Sequence, residues 1–206
     1  MPENGEEKKM KKFLVLIVFA MIMIFALSCG NEKKSSGYEL ALITDVGTID
    51  DRSFNQGSWE GLKKYAEEKG ITHKYYQPTE KTTDAYIDSI DLAVAAGAKI
   101  VVTPGFLFEP AIYKAQDIHP EVNFVLLDGS PQDGNYQDFR IEKNVYSVFY
   151  AEEEAGFLAG YGAVKEGYTN LGFMGGMAVP AVVKFGYGFV QGVNYAAKEF
   201  GIKNVK

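Results

Sequence analysis

The stretch KIVVTPGFLFEPAIYKAQDIHPEVNFVLLD, residues 99–128, decides the fold of this chain. It begins with a short apolar run at 99–103, continues through a segment of helical spacing at 110–118, and ends with a second apolar run at 122–127. Short continuous apolar runs are typical of strands that are buried on both faces of a parallel sheet. The stretch therefore predicts a strand–helix–strand unit whose two strands run parallel.

The same alternation extends outward from this unit in both directions. Apolar runs predict further strands at 40–43, 72–76 and 144–150, and helical spacing predicts helices at 53–69 and 83–96. The first two helices are each followed by a glycine, which is the common residue after a helix C-terminus. We therefore predict an α/β fold, in which a parallel sheet carries helices on both faces.

After residue 150 the regular alternation of predicted strands and helices ends. A helix rich in small residues is predicted at 151–165, a strand at 170–174, and a helix at 180–200 that begins with proline. One strand and two helices cannot close a second sheet domain. We therefore interpret residues 38–150 as a complete N-terminal lobe, and residues 151–206 as a crossover that leads into an incomplete C-terminal lobe.

The N-terminal region has the pattern of a secretory signal. Lys11 and Lys12 precede an apolar run at 13–27, which is shorter than the ~20 residues that a membrane-spanning helix needs. We therefore predict a signal peptide at 1–28. The three Glu among the first nine residues are unusual in a leader, and they favour Met10 as the true translation start.

Cys29 is the only cysteine of the chain and directly follows the predicted signal. Ala26-Leu27-Ser28-Cys29 resembles the lipobox of bacterial lipoproteins, in which the cysteine carries the lipid. We expect lipidation at Cys29, a flexible tether at 29–37, and a location at the extracytoplasmic face of the cell membrane. A single cysteine also excludes an internal disulfide framework and any Cys-rich metal site.

The charge of the chain disfavours nucleic acid as a partner. The net charge is −6, and residues 1–28 carry four Lys and three Glu, so that the remainder carries −7. Binding to nucleic-acid phosphates needs clustered Lys and Arg. We therefore expect a small-molecule ligand.

Four residues near predicted strand ends are candidates for ligand contact. In parallel α/β sheets, ligands bind beyond the carboxyl ends of the strands. Asp45 follows the first strand and Asp128 follows the fourth, and their carboxylates can accept hydrogen bonds from hydroxyl, amino or ring N–H groups. Phe54 offers an aromatic face for stacking, and Asn55 can both donate and accept. Such residues suit a flat, hydroxyl-bearing ligand.

Other roles are open for several of these residues. Phe54 could belong to the core, Asn55 could cap a helix, and Asp50 and Asp51 have the positions of helix N-terminal charges. Asp45, Asp50 and Asp51 could together bind Ca²⁺, but their spacing is not that of an EF-hand loop. No Ser/His/Asp or Cys/His arrangement can be assembled, and no phosphate-binding glycine motif is present. We therefore expect a binding protein without metal or cofactor, and not an enzyme.

Several motifs together resemble the basic membrane protein family of substrate-binding lipoproteins, which includes purine nucleoside receptors of ABC transporters. The resemblance covers residues 38–206. It rests on Thr44-Asp45 through Asp51-x-Ser53-Phe54-Asn55-Gln56, on Leu127-Asp128-Gly129, on Glu154-Ala155-Gly156-Phe157-Leu158-Ala159-Gly160, and on Gly175-Gly176 with Phe185-x-x-Gly188-Phe189-x-x-Gly192.

The resemblance implies a two-lobed type I periplasmic-binding fold that closes on its ligand. It implies that Asp45, Phe54 and Asp128 line a nucleoside cleft, with Phe54 stacked on the base and Asn55 adjacent. It also implies an ABC permease as partner and capture of a purine nucleoside as function. The alternatives are a riboflavin or sugar receptor, an exported nucleoside hydrolase, and a ligand-sensing transcription regulator, for which no helix-turn-helix is visible.

Overall fold

The computed structural model describes residues 37–206. The predicted leader and Cys29 lie outside the described residues, as does most of the predicted tether. The described helices and strands are β1 (Leu40–Ile43), α1 (Phe54–Lys69), β2 (His73–Tyr76), α2 (Thr83–Ala95), β3 (Ile100–Pro104), a 3₁₀ turn (Phe106–Phe108), α3 (Glu109–Ile118), β4 (Asn123–Leu127), β5 (Val145–Val148), α4 (Glu152–Lys165) and α5 (Pro180–Glu199).

The five strands form one sheet with the order β2-β1-β3-β4-β5, and every neighbouring pair is parallel. The register pairs Leu40 of β1 with His73 of β2 and Ile100 of β3. The sequence order reverses direction between β1 and β3, which makes this position the topological switch point of the sheet. The predicted parallel α/β architecture is confirmed.

Strand β1 shows why the sheet is covered on both faces. Its four residues are all buried, and they alternate between two apolar clusters. Ala41 and Ile43 belong to the cluster that α2 and α3 cover, whereas Leu40 and Leu42 pack against α1. A strand with apolar contacts on both faces needs a continuous apolar run, as its sequence has.

Local signals account for several helix ends. Helix α1 ends at Gly70, which has a φ of +64° and so adopts the left-handed conformation that glycine permits without steric cost. The hydroxyl of Thr82 accepts a hydrogen bond of 3.2 Å from the backbone N–H of Ala85 and caps the start of α2. Pro180 lies in the first turn of α5, where its missing N–H has no cost.

Helices α4 and α5 pack as a parallel pair through glycines. A Cβ atom added to Gly156 or Gly160 of α4 would overlap backbone atoms of α5, and one added to Gly188 or Gly192 of α5 would overlap backbone atoms of α4. The backbones are therefore in direct contact. The helix rich in small residues that the sequence predicts at 151–165 is α4, and the structure identifies α5 as its packing partner.

The strand predicted at 170–174 is wrong, because these residues form no strand. A strand needs a partner backbone along its length. The described residues give this segment only two such bonds, from the Lys206 N–H to the Thr169 oxygen at 2.8 Å and from the Leu171 N–H to the Lys206 oxygen at 2.7 Å.

No helix among the described residues is both long enough and apolar enough to span a bilayer.

Candidate ligand site at the strand ends

The carboxyl ends of β1, β3 and β4 lie at one edge of the sheet because the three strands are parallel neighbours. Backbone bonds hold the loops that follow. The Gly105 N–H donates to the Leu127 oxygen at 2.7 Å, and the Asp128 N–H donates to the Val148 oxygen at 2.7 Å. The segments after β3 and β4 are thus each tied to the next strand along the sheet, which gives this part of the edge a defined backbone.

Asp45 follows β1 and has one carboxylate oxygen engaged by the protein. Its Oδ1 accepts a hydrogen bond of 2.6 Å from the Gly47 N–H and one of 2.8 Å from the Asn55 side-chain amide. Its Oδ2 accepts no hydrogen bond from residues 37–206. Asp45 is therefore held in place by one oxygen, and its other oxygen is able to accept a further hydrogen bond.

Gly47 makes this arrangement possible. A Cβ atom at this position would lie 2.5 Å from the Asn55 amide nitrogen and 2.7 Å from Asp45 Oδ1. Any other residue would therefore push apart the two groups that form the bond. Gly47 lies within the motif that runs from Thr44 to Asp51, but no role was predicted for it from the sequence.

Asn55 is a buried link between the loop and α1, with only 6% of its surface exposed. Its amide nitrogen donates to Asp45 Oδ1 at 2.8 Å and to Asp51 Oδ2 at 3.1 Å. Both amide hydrogens are thus used within the protein. Only the side-chain oxygen of Asn55 remains to accept a hydrogen bond from a ligand.

Asp51 caps the N-terminus of α1. Its carboxylate accepts backbone N–H bonds from Ser53 at 2.8 Å, Gln56 at 3.1 Å and Asn55 at 3.3 Å. Partial burial acts to raise the pKa of this carboxyl group, but the three backbone donors outweigh it and lower the pKa below its ordinary value. The predicted role of Asp51 as a helix N-terminal charge is confirmed.

Phe54 is the first residue of α1, and 39% of its surface is exposed. Its ring contacts Tyr150 edge-on, with 6.2 Å between ring centroids and 77° between ring planes. Both rings line a groove of about 690 Å³ that runs along the sheet beside α1 and also contacts Val102 and Leu127. An exposed ring at the mouth of an apolar groove can stack on a flat ligand.

Asp128 directly follows β4 and has a φ of +58°, a conformation that is uncommon outside glycine, asparagine and aspartate. Burial and the neighbouring Glu152 carboxyl group raise the pKa of Asp128. Tyr150 lies close enough that the charges of Asp128 and Glu152, together with burial, raise the pKa of its hydroxyl group.

The structure brings the four predicted site residues together in two groups. Asp45 and Asn55 are hydrogen-bonded, and Phe54 is adjacent to Asn55 in the chain. Asp128 lies near Tyr150, whose ring contacts Phe54. Of the four residues, only Phe54 lines the groove.

Three residues near the strand ends were missed by the sequence analysis: Tyr150, Glu152 and Lys184. Glu152 opens α4, and its Oε2 accepts a hydrogen bond of 3.1 Å from Lys184 Nζ of α5. Tyr150 could have been recognised from the sequence as a candidate, because it is an aromatic residue at the end of a predicted strand. Glu152 and Lys184 had none, since they are 32 positions apart and each lies among ordinary helix residues.

The parallel sheet with its switch point between β1 and β3 is the architecture of the periplasmic-binding class of proteins. A solved ABC transporter solute-binding protein from Aeropyrum pernix K1 has the same fold, with a TM-score of 0.64 and 25% sequence identity over 80% of this chain and 45% of its own chain. More narrowly, the chain belongs to the Bmp family, described as ABC transporter substrate-binding protein PnrA-like, whose model matches residues 38–206.

Two curated relatives agree with this family. One is the "ABC transporter nucleoside-binding protein BmpA" of Lactococcus lactis, which is 33% identical over 78% of this chain and 44% of its own length. The other is the "Basic membrane protein A1" of Borrelia garinii, which is 31% identical over 94% of this chain and 55% of its own length. The chain thus spans about half the length of the curated relatives it matches.

Proposed function

We propose that this chain captures a purine nucleoside for an ABC importer and does not convert it chemically. The observation that carries the proposal is the exposed ring of Phe54 beside Asp45, whose Oδ2 is free to accept a hydrogen bond. The two residues are joined through Asn55, which bonds directly to Asp45 and follows Phe54 in the chain. A stacking face next to free acceptor oxygens matches a flat base that carries a hydroxylated sugar.

The comparisons support nucleosides over other solutes. A family relative is named as a nucleoside-binding protein, and the family as a whole consists of substrate-binding proteins. The chemistry at the strand ends agrees with this, because the available atoms on Asp45 and Asn55 are acceptors and nucleosides carry several O–H and N–H donors. Riboflavin, which is also a flat ring with hydroxyl groups, is the alternative ligand.

The location is part of the same proposal. A lipid on Cys29 would hold the binding domain at the outer face of the cell membrane, close to its permease. One acyl chain binds a membrane only marginally, so stable attachment needs more than one. Lobe closure on the ligand would then present a changed surface to the permease.

The test is calorimetric titration of the protein expressed from its complete gene, without its leader, against inosine, guanosine, adenosine, ribose and riboflavin. We expect binding of at least one purine nucleoside. Phe54→Ala should weaken that binding by about 1–3 kcal/mol through lost stacking, whereas Phe54→Tyr, which keeps an aromatic face, should bind nearly as well. Phe139→Ala is the matched control, because Phe139 is also exposed but does not line the groove.

Three outcomes would contradict the proposal. Binding of riboflavin or ribose with no response to the nucleosides would assign a different solute. An unchanged titration curve for Phe54→Ala would remove Phe54 from the site. Release of free base during incubation would indicate a nucleoside hydrolase, because a binding protein returns its ligand intact.

A further inference from the structure

Glu109 joins the first turn of α3 to the loop that follows β4. The residue opens α3, and only 8% of its surface is exposed. Its Oε1 accepts a hydrogen bond of 3.0 Å from the Ser130 N–H, and its Oε2 accepts one of 3.2 Å from the Gln132 side-chain amide. A buried carboxylate is costly unless its oxygens have donors, and here each oxygen has one. The loop after β4 is therefore built around this carboxylate.

Gln132 extends the link along the loop. It is buried, and its backbone N–H donates to the Glu109 backbone oxygen at 3.4 Å. Its side-chain oxygen accepts hydrogen bonds from the backbone N–H groups of Gly134 and Tyr136. The amide of Gln132 is thus oriented by its partners, with the nitrogen towards α3 and the oxygen towards the loop. One carboxylate and one amide together organise residues 130–136.

The segment that Glu109 holds begins two residues after Asp128. Asp128 has a φ of +58°, a conformation that persists in a residue with a side chain only where the surrounding structure holds it. Its N–H donates to the Val148 oxygen at 2.7 Å. Gly129 lies against Glu109, because a Cβ atom added to it would be 3.1 Å from Glu109 Cγ. Val148 and Glu109 therefore hold the backbone on either side of Asp128.

Helix α3 gives Glu109 a fixed support. Its residues Ala111, Ile112 and Ala115 are completely buried in the apolar cluster on one face of the sheet. A group carried by a packed helix is placed more precisely than a group carried by a loop. The position of the loop after β4 is therefore set by the sheet layer itself, through α3.

Glu109 is not placed to contact a ligand directly, since it is buried and both its oxygens are engaged. It can act only through the loop. We propose that Glu109 is a positioning residue of the ligand site, whose carboxylate fixes the loop after β4 and so holds Asp128 in the conformation that binds the ligand. This inference rests on the proposed function and on the predicted contact of Asp128 with the nucleoside.

An exchange of two side chains is the decisive test. In Glu109→Gln, the new amide nitrogen faces the amide nitrogen of Gln132, and two donors cannot bond to each other. In Gln132→Glu, two carboxylates face each other and repel. In the double variant Glu109→Gln/Gln132→Glu, the new amide donates to the new carboxylate, and every side-chain hydrogen bond of the two residues has an equivalent. The double variant also keeps the net charge of the wild type.

Isothermal titration of the protein expressed from its complete gene, without its leader, compares the wild type with these variants. We expect each single variant to weaken purine nucleoside binding about tenfold, the usual effect of losing one hydrogen bond. The double variant should recover an affinity within a few-fold of the wild type. Wild-type affinity in Glu109→Gln would overturn the proposal, and so would a double variant that binds no better than the single ones.

Gln116→Met is the matched control from the same helix. Gln116 is also buried, and its side chain also holds a loop, through the Glu142 N–H and the Arg140 oxygen. These partners lie further along the chain from Asp128. The control should therefore melt at a lower temperature than the wild type but bind the nucleoside equally well. An equal loss of affinity in Gln116→Met and Glu109→Gln would mean that lost stability alone weakens binding, which contradicts a positioning role.

Amide hydrogen exchange followed by NMR tests the same link in the wild type, without any variant. The Ser130 N–H should exchange more slowly than that of Asn135, which donates to the exposed side chain of Asp133. Coupling between two sites is reciprocal, so a nucleoside bound through Asp128 should slow the exchange of Ser130 further. Exchange at Ser130 as fast as at Asn135, or without response to the nucleoside, would overturn the proposal.

Failure of the proposed function is distinguishable from failure of this inference. If the wild type binds no purine nucleoside, the proposed function fails, and the melting temperatures still decide whether Glu109 and Gln132 hold the loop as one unit. Both single variants should then melt below the wild type, and the double variant should recover most of that loss. If the wild type binds a nucleoside and the double variant melts like the wild type without recovering its affinity, this inference alone is overturned.

Discussion

The sheet layer and the helix pair α4–α5 are stabilised in opposite ways. In the sheet layer, large apolar side chains such as Leu42, Phe124 and Ile112 are completely buried between strands and helices. In the helix pair, glycines bring the two backbones into contact, and large side chains such as Leu158 and Tyr187 are exposed. One region buries side chains, and the other brings two backbones together.

The difference shows that tight packing and apolar burial are separate sources of stability. Removal of apolar area from water contributes roughly 25 cal/mol per Å², and the sheet layer gains in this way from each large buried side chain. Glycine contributes little apolar area, but its missing side chain lets backbone atoms approach closely and gain dispersion and weak Cα–H···O contacts. The helix pair should therefore tolerate truncation of its exposed large residues and lose stability when the glycines at the backbone contact are enlarged.

The largest expected effect comes from the same substitution made once in each region. Leu42→Ala removes a completely buried side chain from β1 and should lower the free energy of unfolding by about 2–5 kcal/mol. Leu158→Ala in α4, where 67% of the side chain is exposed, should change it by less than about 0.5 kcal/mol. Urea denaturation followed by circular dichroism measures both values. Equal losses for the two variants would mean that the helix pair also depends on its large side chains.

The second prediction concerns substitutions that add a methyl group to the helix pair instead of removing side-chain atoms. Gly192→Ala places a Cβ against the Phe157 carbonyl oxygen, so that the helices must separate, and it should cost about 1–3 kcal/mol. Gly162→Ala in α4 is the matched control, because no atom lies within 4 Å of its added Cβ. Since alanine favours a helix over glycine, this control should gain about 0.5–1 kcal/mol. Thermal unfolding of the two variants gives the comparison, and a loss in both would contradict contact through the glycines.

The sequence was sufficient to predict the sheet layer because each signal there is local. Four-residue apolar runs predicted strands that must be buried on both faces, and β1 is such a strand. Gly70 predicted the end of α1 through its own conformational freedom. The strand at 170–174 failed because a strand needs a partner backbone, which no property of the segment itself supplies.

The residues of the candidate site also fall into those that local sequence predicts and those that depend on tertiary packing. Asp45, Asp51 and Asn55 lie within one short loop and helix start, so their proximity could be anticipated from the sequence. The neighbours of Asp128 could not, because Glu152 and Lys184 come from two later helices whose position depends on how α4 meets α5. Contacts that depend on tertiary packing leave no local pattern.

The smallest expected effect tests a third kind of contact, in which polar groups join the loop after β1 to the first turn of α1. Asp51→Ala removes the acceptor for three backbone N–H groups and should cost about 1 kcal/mol, the usual cost of losing a helix cap. Asp50→Ala is the matched control, since Asp50 is a neighbouring exposed carboxylate that accepts no hydrogen bond from residues 37–206. It should be neutral within about 0.5 kcal/mol.

The contribution of Asp51 to stability should depend on pH in a defined direction. Because the pKa of Asp51 is lowered in the folded state, its contribution is complete above the ordinary value of 3.8 and is lost as the pH falls through the folded pKa. The difference between the wild type and Asp51→Ala in urea denaturation should therefore shrink on acidification below that value. A difference that stays constant down to about pH 2 would mean that the Asp51 carboxyl group caps α1 equally well when it is protonated, so that its charge does not matter.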